Sequence, residues 1–341
     1  MSPVPDAVTT SDHGRPGRQS RARGCALTAL AWALGALGLL LSFSGYALYK
    51  ALVSEADGDV ARLPVCVSLL IVAAVLVTGI LLFAGSGGLL KRGRRHRHRV
   101  IPSFDELVGE RYLLYLRPFF IDPLMALPPA EAPGWQSRSP FELPGLTQEE
   151  FLVRQFRGLG RIVAIGQPGE RLPEIGAERG YLPAADDWQE SVSRLLRGAH
   201  AVIITASPGP GTMWEFTEAV RTVAPARLLV LVYGDEDYRA FREGVAQEYA
   251  TRSSAEAAGA EWPPLPRLPD IPPAPPAKGL PWDFPLEGIL SFDHRWRPRF
   301  TRFPTAVPRM RHVWTIRRLV RRELKPVLDQ VSRLPPAPSL T

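Results

Sequence analysis

The chain contains no asparagine and only two cysteines, and four of its 41 basic residues are lysine. The arginine bias and missing asparagine fit a GC-rich bacterial genome. Cys25 and Cys66 stand at opposite ends of two apolar runs, which excludes a disulfide between them, and neither has the neighbours of a metal site. No G-x-x-x-x-G-K-[ST] stretch is present, so P-loop hydrolysis is excluded, and Ser207-Pro-Gly-Pro-Gly-Thr212 lacks the G-x-G-x-x-G spacing. The histidines form no metal-ligand spacing. Ser207 has no evident base partner, and no cysteine outside the apolar runs is available as a nucleophile.

Excess charge is also missing from most of the chain. The formal charge is +7, yet residues 1–100 hold 12 Lys+Arg against 5 Asp+Glu, and residues 101–341 hold 29 of each. A nucleic-acid-binding domain carries a basic face, so that partner class is not expected. The basic residues belong instead to the flanks of Cys25–Tyr49 and Leu63–Leu90, two charge-free runs long enough to cross a hydrocarbon core of ~30 Å. A cleaved signal peptide does not fit the first, which is too long and is followed by a second span. Arginines precede the first run and Lys91–Arg99 follows the second, while the loop between them carries three acids and Arg62. The expectation is a two-pass plasma-membrane anchor with both termini cytoplasmic and the bilayer as a partner. The implied division is a disordered N-terminus (1–24), the anchor (25–90), a basic linker (91–110), an α/β domain (111–332) with a proline-rich insertion (about 261–285), and a disordered tail (333–341).

Within the domain, short apolar runs alternate with amphipathic stretches. Arg111–Arg117, Arg161–Gly166, Ala201–Thr205, Arg227–Val232 and Gly288–Phe292 read as strands. Thr147 and Glu150 form a capping-box pattern ahead of Leu152 and Phe156, and Asp186 with Gln189 forms another ahead of Val192, Leu195 and Leu196. Strands separated by helices imply parallel pairing with right-handed crossovers. The proline-rich segment reads as an extended surface connection. Arg311–Val331 reads as a basic amphipathic helix, either closing the domain or lying on the inner leaflet.

The most informative stretch is Ala201–Val223, which reads as strand, glycine-rich loop and helix. In an open parallel sheet the loop leaving a strand's carboxyl end lines the ligand crevice, and a helix's first turn there offers free N–H groups to an anion. Three such ends would bring Arg117 and Asp122, Gly166 and Gly169, and Ser207, Gly209, Gly211, Thr212, Trp214, Glu215 and Glu218 to one edge. Plainer readings stand beside this one. Arg117 and Asp122 pair with each other, Trp214 packs, and the two glutamates offset the helix dipole from a solvated face.

Thr212-Met-Trp-Glu-Phe-Thr-Glu218 is similar to the S-x-W-C-x-x-E stretch after the third strand of TIR domains, with Thr for Ser and Glu for Cys. The resemblance implies a flavodoxin-like, TIR-like fold: a parallel five-stranded sheet with helices on both faces, preceded here by two transmembrane helices. It also implies that Glu218 occupies the place of the glutamate that helps cleave the nicotinamide–ribose bond of NAD in enzymatic members. The departure from Cys adds Glu215 as a second carboxylate. Two functions follow. One is a membrane-anchored signalling or interaction module that binds a nucleotide or partner proteins and self-associates. The other is an NAD glycohydrolase using Glu218 or Glu215, with NAD as substrate and no required cofactor.

Overall fold

In the computed structural model, residues 19–54, 65–126, 147–182, 188–255, 262–274, 280–281, 286–303, 306–307 and 312–337 are described. The chain divides into two compact units, one comprising mainly Arg18–His98 and the other mainly Arg99–Ala132 and Thr147–Thr341.

The first unit is a helical hairpin of α1 (Arg21–Ser54) and α2 (Val65–Arg97). Both helices are long and apolar enough to cross a membrane. α2 runs through most of the basic cluster that the sequence suggested as a linker. Large apolar side chains, among them Trp32, Leu40, Phe43, Leu70 and Leu81, face outward. Between apolar helices in lipid, association depends on close packing rather than on water exclusion, and this seam is glycine-lined. A Cβ on Gly38 would stand 2.6 Å from the Gly79 carbonyl oxygen, and one on Gly79 would stand 2.7 Å from that of Gly38. Gly24 and Gly93 repeat the arrangement, each with the other's carbonyl oxygen at 2.9 Å. The open end is tied by Gln19 Nε2, which donates to the His98 carbonyl at 2.6 Å, and by the Ser20 N–H, which donates to His96 Nδ1 at 3.2 Å.

The second unit is built on a mixed eight-stranded sheet. Its strands are β1 (Val100–Ile101), β2 (Tyr112–Leu116), β3 (Arg161–Ile165), β4 (Glu178–Gly180), β5 (Ala201–Thr205), β6 (Leu228–Val232), β8 (Gly288–Phe292) and β9 (Pro298–Arg302). A separate antiparallel ribbon pairs β7 (Leu280–Pro281) with β10 (Ala306–Val307). The main order is β1-β4-β3-β2-β5-β6-β8-β9. Pairing is parallel from β1 to β6.

The five-stranded parallel expectation is corrected at both edges. β8 runs antiparallel to β6, and β9 returns beside β8 through a tight hairpin. In that turn the Asp293 carboxylate accepts from the N–H groups of Arg295 and Arg297, and Trp296 takes a positive φ of 59°. Pro298-Arg-Phe-Thr-Arg302 is only partly buried at the end of the sheet order, whereas the inner strands are uniformly buried. The short strands β1 and β4 extend the opposite edge.

The helices are α3 (Asp122–Met125), α4 (Gln148–Phe156), α5 (Trp188–Gly198), α6 (Pro210–Thr222), α7 (Asp235–Ala255) and α8 (His312–Ser332). α4 opens with the expected capping box: Thr147 Oγ1 accepts from the Glu150 N–H, and the Glu150 carboxylate accepts from the Thr147 N–H. The Asp186 cap position lies outside the described residues. Side chains on one sheet face (Leu114, Leu116, Val202, Ile204, Val230) pack with α5, α6 and α7. Those on the other (Leu113, Tyr115, Ile203, Leu229, Leu231) pack with α4 and α8. α8 is thus a closing helix, with Leu324, Val327 and Val331 buried and Arg321 and Arg322 outward.

Two proline-rich segments are more engaged than the sequence suggested. Along 262–274 the apolar residues Trp262, Leu265, Leu268 and Ile271 recur every third position, the repeat of polyproline II. Leu268 is buried, and Leu265 and Ile271 pack against the α5–α7 side of the core. Tyr238 Oη of α7 donates to the Pro269 carbonyl at 2.9 Å. Near the carboxyl end, Arg227 Nη2 donates to the Pro335 carbonyl at 2.7 Å and Nη1 to the His200 carbonyl at 2.8 Å, so the start of the expected disordered tail is tied down.

Candidate functional site

Four long parallel strands set the stage, in the spatial order β3-β2-β5-β6. The chain leaves β2 for β3 on one side and later returns past β2 to β5 on the other, so the order reverses between β2 and β5. At such a switch point adjacent crossovers diverge and leave a crevice at the strands' carboxyl ends. Register places Leu116 opposite Ile204, so Arg117 and Thr205 stand side by side there.

The residues expected at one rim separate onto two faces. Alternation along β2 sends Leu116 toward α5–α7 and Tyr115 toward α4 and α8. Arg117 follows Tyr115, lying over its ring at 5.5 Å. Glu218, Glu215, Thr212 and Trp214 are on α6, on the opposite face. The proposed pocket joining Arg117 to the α6 acids is therefore corrected: the pleat of the sheet sets them apart.

On the α6 face Glu218 is enclosed, with its side chain 0% exposed. Arg252 Nη2 of α7 donates to Oε2 at 2.6 Å, Arg221 Nη2 donates to Oε1 at 2.7 Å, and Ser193 Oγ of α5 donates to Oε1 at 2.9 Å. Burial alone would raise its pKa, but the hydrogen bonds from Arg221, Arg252 and Ser193 outweigh that and hold the carboxyl below the usual range. Glu218 is thus an ionised tie across three helices. Trp214 belongs to the same tie: its ring meets Trp188 edge-on at 4.9 Å and carries the Arg252 guanidinium at 5.0 Å. Arg252 also lies over Trp262 at 5.2 Å, joining the proline-rich strap to the cluster.

Glu215 differs. The residue is half-buried, its carboxyl is desolvated, and among the described residues no cation pairs with it. Desolvation pushes its pKa up to about 8, so at neutral pH it is mainly protonated. The native state then keeps a proton that the unfolded chain loses above pH ~4.5. Stability therefore declines as pH rises from about 4.5 to 8 and levels off beyond. Glu215→Gln should be more stable than the parent at pH 8, with an advantage that shrinks toward pH 4.5. Urea unfolding at several pH values checks this, and a pH-independent difference would contradict it.

The glycines have separate local reasons. A Cβ on Gly166 would lie 2.3 Å from the Tyr181 ring, so ring packing requires this glycine, and Gly169 turns the chain at φ 76°. Gly209 is the N-cap of α6 and makes no side-chain cap, and Gly211 faces open space. Thr212 is buried.

On the other face Arg117 enters a buried ionic cluster that sequence reasoning had only half identified. Arg117 Nη2 lies 2.8 Å from Asp122 Oδ1 and 3.4 Å from Glu149 Oε2, and Arg179 Nη2 of β4 donates to the same Glu149 oxygen at 2.9 Å. Glu149 Oε1 accepts from the Ala177 N–H at 3.1 Å. The Arg117, Arg179 and Glu149 side chains are 1%, 1% and 2% exposed. Burial pushes Asp122 up to about 6 against the pull of Arg117 and Arg179. Neither Glu149, next to the capping-box Glu150, nor Arg179 was among the residues that the sequence singled out. A signal was the isolated Glu178-Arg179 between apolar neighbours, but only register shows that it is a strand.

No protein-family model, no curated protein and no solved structure matches this chain.

Proposed function

We propose that the chain is a two-pass, membrane-anchored interaction module, with both termini cytoplasmic and a TIR-like domain that binds partner proteins or a nucleotide without cleaving it. The anchor reading is supported by two apolar helices packed through glycines with large apolar side chains outward. The TIR-like reading is supported by the Thr212–Glu218 stretch and the β3-β2-β5-β6 order of the long parallel strands.

The state of Glu218 carries the choice against turnover. Nicotinamide leaves its ribose as a neutral base, so the transition state asks for a free anionic carboxylate against the developing oxocarbenium charge. Glu218 is ionised but enclosed and neutralised by two arginines, and Glu215 is protonated at neutral pH. Incubation of the full chain in densely loaded liposomes with NAD should release no nicotinamide. Release that disappears in Glu215→Gln would overturn this reading in favour of the glycohydrolase.

A further inference from the structure

The buried polar groups beneath the carboxyl edge of β2 and β5, on the α4 and α8 face, do not satisfy one another. Among the described residues no hydrogen bond engages Arg117 Nε, Arg179 Nε or Nη1, Tyr115 Oη, Thr205 Oγ1 or Ser207 Oγ, although all of these atoms are buried. Tyr115 lies beside Thr205 and Tyr233, but its hydroxyl makes no hydrogen bond of normal geometry. Two acceptors are also left over, Asp122 Oδ1 and Gln148 Oε1, and the first is already in contact with the Arg117 guanidinium.

Each orphaned buried donor costs about 1–3 kcal/mol. Six such atoms together approach the ~5–15 kcal/mol by which whole domains are stable. A fold that retains them has something to accept from them. The surplus is of donors and hydroxyls, and it draws on β2, β4 and the end of β5. Its place, at the reversal of strand order between β2 and β5, is where open α/β sheets take their ligands. Guanidinium N–H groups beside hydroxyls match the tetrahedral or planar oxygens of an oxyanion.

We propose that this buried cluster of Tyr115, Arg117, Arg179 and Thr205, with Ser207 just beyond the end of β5, binds a phosphate-like oxyanion, either free or carried on a nucleotide. The site stands apart from the α6 acids and does not depend on whether the domain cleaves NAD. Bound there, the oxyanion accepts from the unused N–H groups while Glu149 keeps its own two arginine contacts. The charged and titratable groups facing it are Arg117, Arg179, Asp122, Glu149, Glu170, Tyr115 and Tyr233. Asp122, raised to about 6 by burial, changes charge near neutrality. Its protonation removes a negative charge beside Arg117, so oxyanion affinity rises as pH falls from 7.5 to 5.5.

The test uses the full chain in detergent micelles, with inorganic phosphate, AMP and sulfate as probes in calorimetric titrations. Sulfate keeps its charge across this range and isolates the contribution of Asp122. Ser207→Ala removes a hydroxyl that makes no hydrogen bond among the described residues, so it should fold as stably as the parent, and Thr205→Val, whose hydroxyl stands beside that of Tyr115, should lose little stability. Each should bind phosphate about tenfold or more weakly, the loss of one hydrogen bond to a charged group. Saturable phosphate binding that weakens in both variants, with sulfate binding tighter at pH 5.5, is the expected result. Binding of AMP but not of inorganic phosphate would support the nucleotide-borne form. Three results would overturn the proposal: no saturable binding of any probe at millimolar concentration; binding unchanged in both variants; or sulfate binding indifferent to pH.

Discussion

Replacing Glu149 with alanine should cost the domain about 3–5 kcal/mol, the range for breaking a buried ion pair from one side. The size follows from what remains. Arg117 and Arg179 would keep their charges with almost no access to water, and the Ala177 N–H would lose its acceptor. Asp122, held near Arg117 and raised to about 6 by burial, is poorly placed to balance two guanidinium groups. Glu149→Gln keeps the shape and an oxygen for Ala177 but not the charge, so it should fall between parent and alanine. Urea unfolding of the three proteins measures the order, and a Glu149→Ala loss below about 1 kcal/mol would show that the cluster is open to solvent.

In the hairpin, Gly79→Leu should separate α1 from α2, and Gly38→Leu should do the same. Overpacking of well-packed cores costs about 1–3 kcal/mol when neighbours can shift. Here the first obstacle is the facing helix's own backbone, 2.6–2.7 Å from the added Cβ, and backbone yields least. Between helices in lipid there is no hydrophobic drive, so close packing would carry most of such a seam. Gly85 provides the control, because a Cβ there meets nothing within 4 Å. Titration of the micelle-bound protein with a denaturing detergent, followed by circular dichroism, should show earlier unfolding for the two seam variants and an unchanged midpoint for Gly85→Ala. Equal behaviour of all three would remove the seam from the account.

The legible parts of this chain were those with a local physical cause. The capping box at Thr147 and Glu150 satisfies nearby N–H groups, so it is visible in four residues. The runs in β2, β5 and β6 are uniformly apolar because both sheet faces are covered. What was missed depends on residues far apart in sequence. The direction of β8 is set by its pairing with β6 and β9, and an apolar pentapeptide reads the same either way. Arg179 and Glu149 meet across 30 residues. The rim has a similar cause: the shared carboxyl ends are visible in the sequence, but which face Arg117 and the α6 acids each take is set by the pleat and by which helices cover which face. Glu218 shows how a motif position and a structural tie can look alike, since a carboxylate one turn before Arg221 fits either.

The measurement that bears most directly on the account is a double-mutant cycle between Glu218 and Arg252, read by urea unfolding of the micelle-bound chain. A structural tie predicts a coupling of about 1–3 kcal/mol, with Glu218→Gln, Arg252→Met and the double variant all less stable than the parent. A coupling near zero, together with an undiminished midpoint for Glu218→Gln, would mean that Glu218 does not hold α5, α6 and α7 together and would contradict the account.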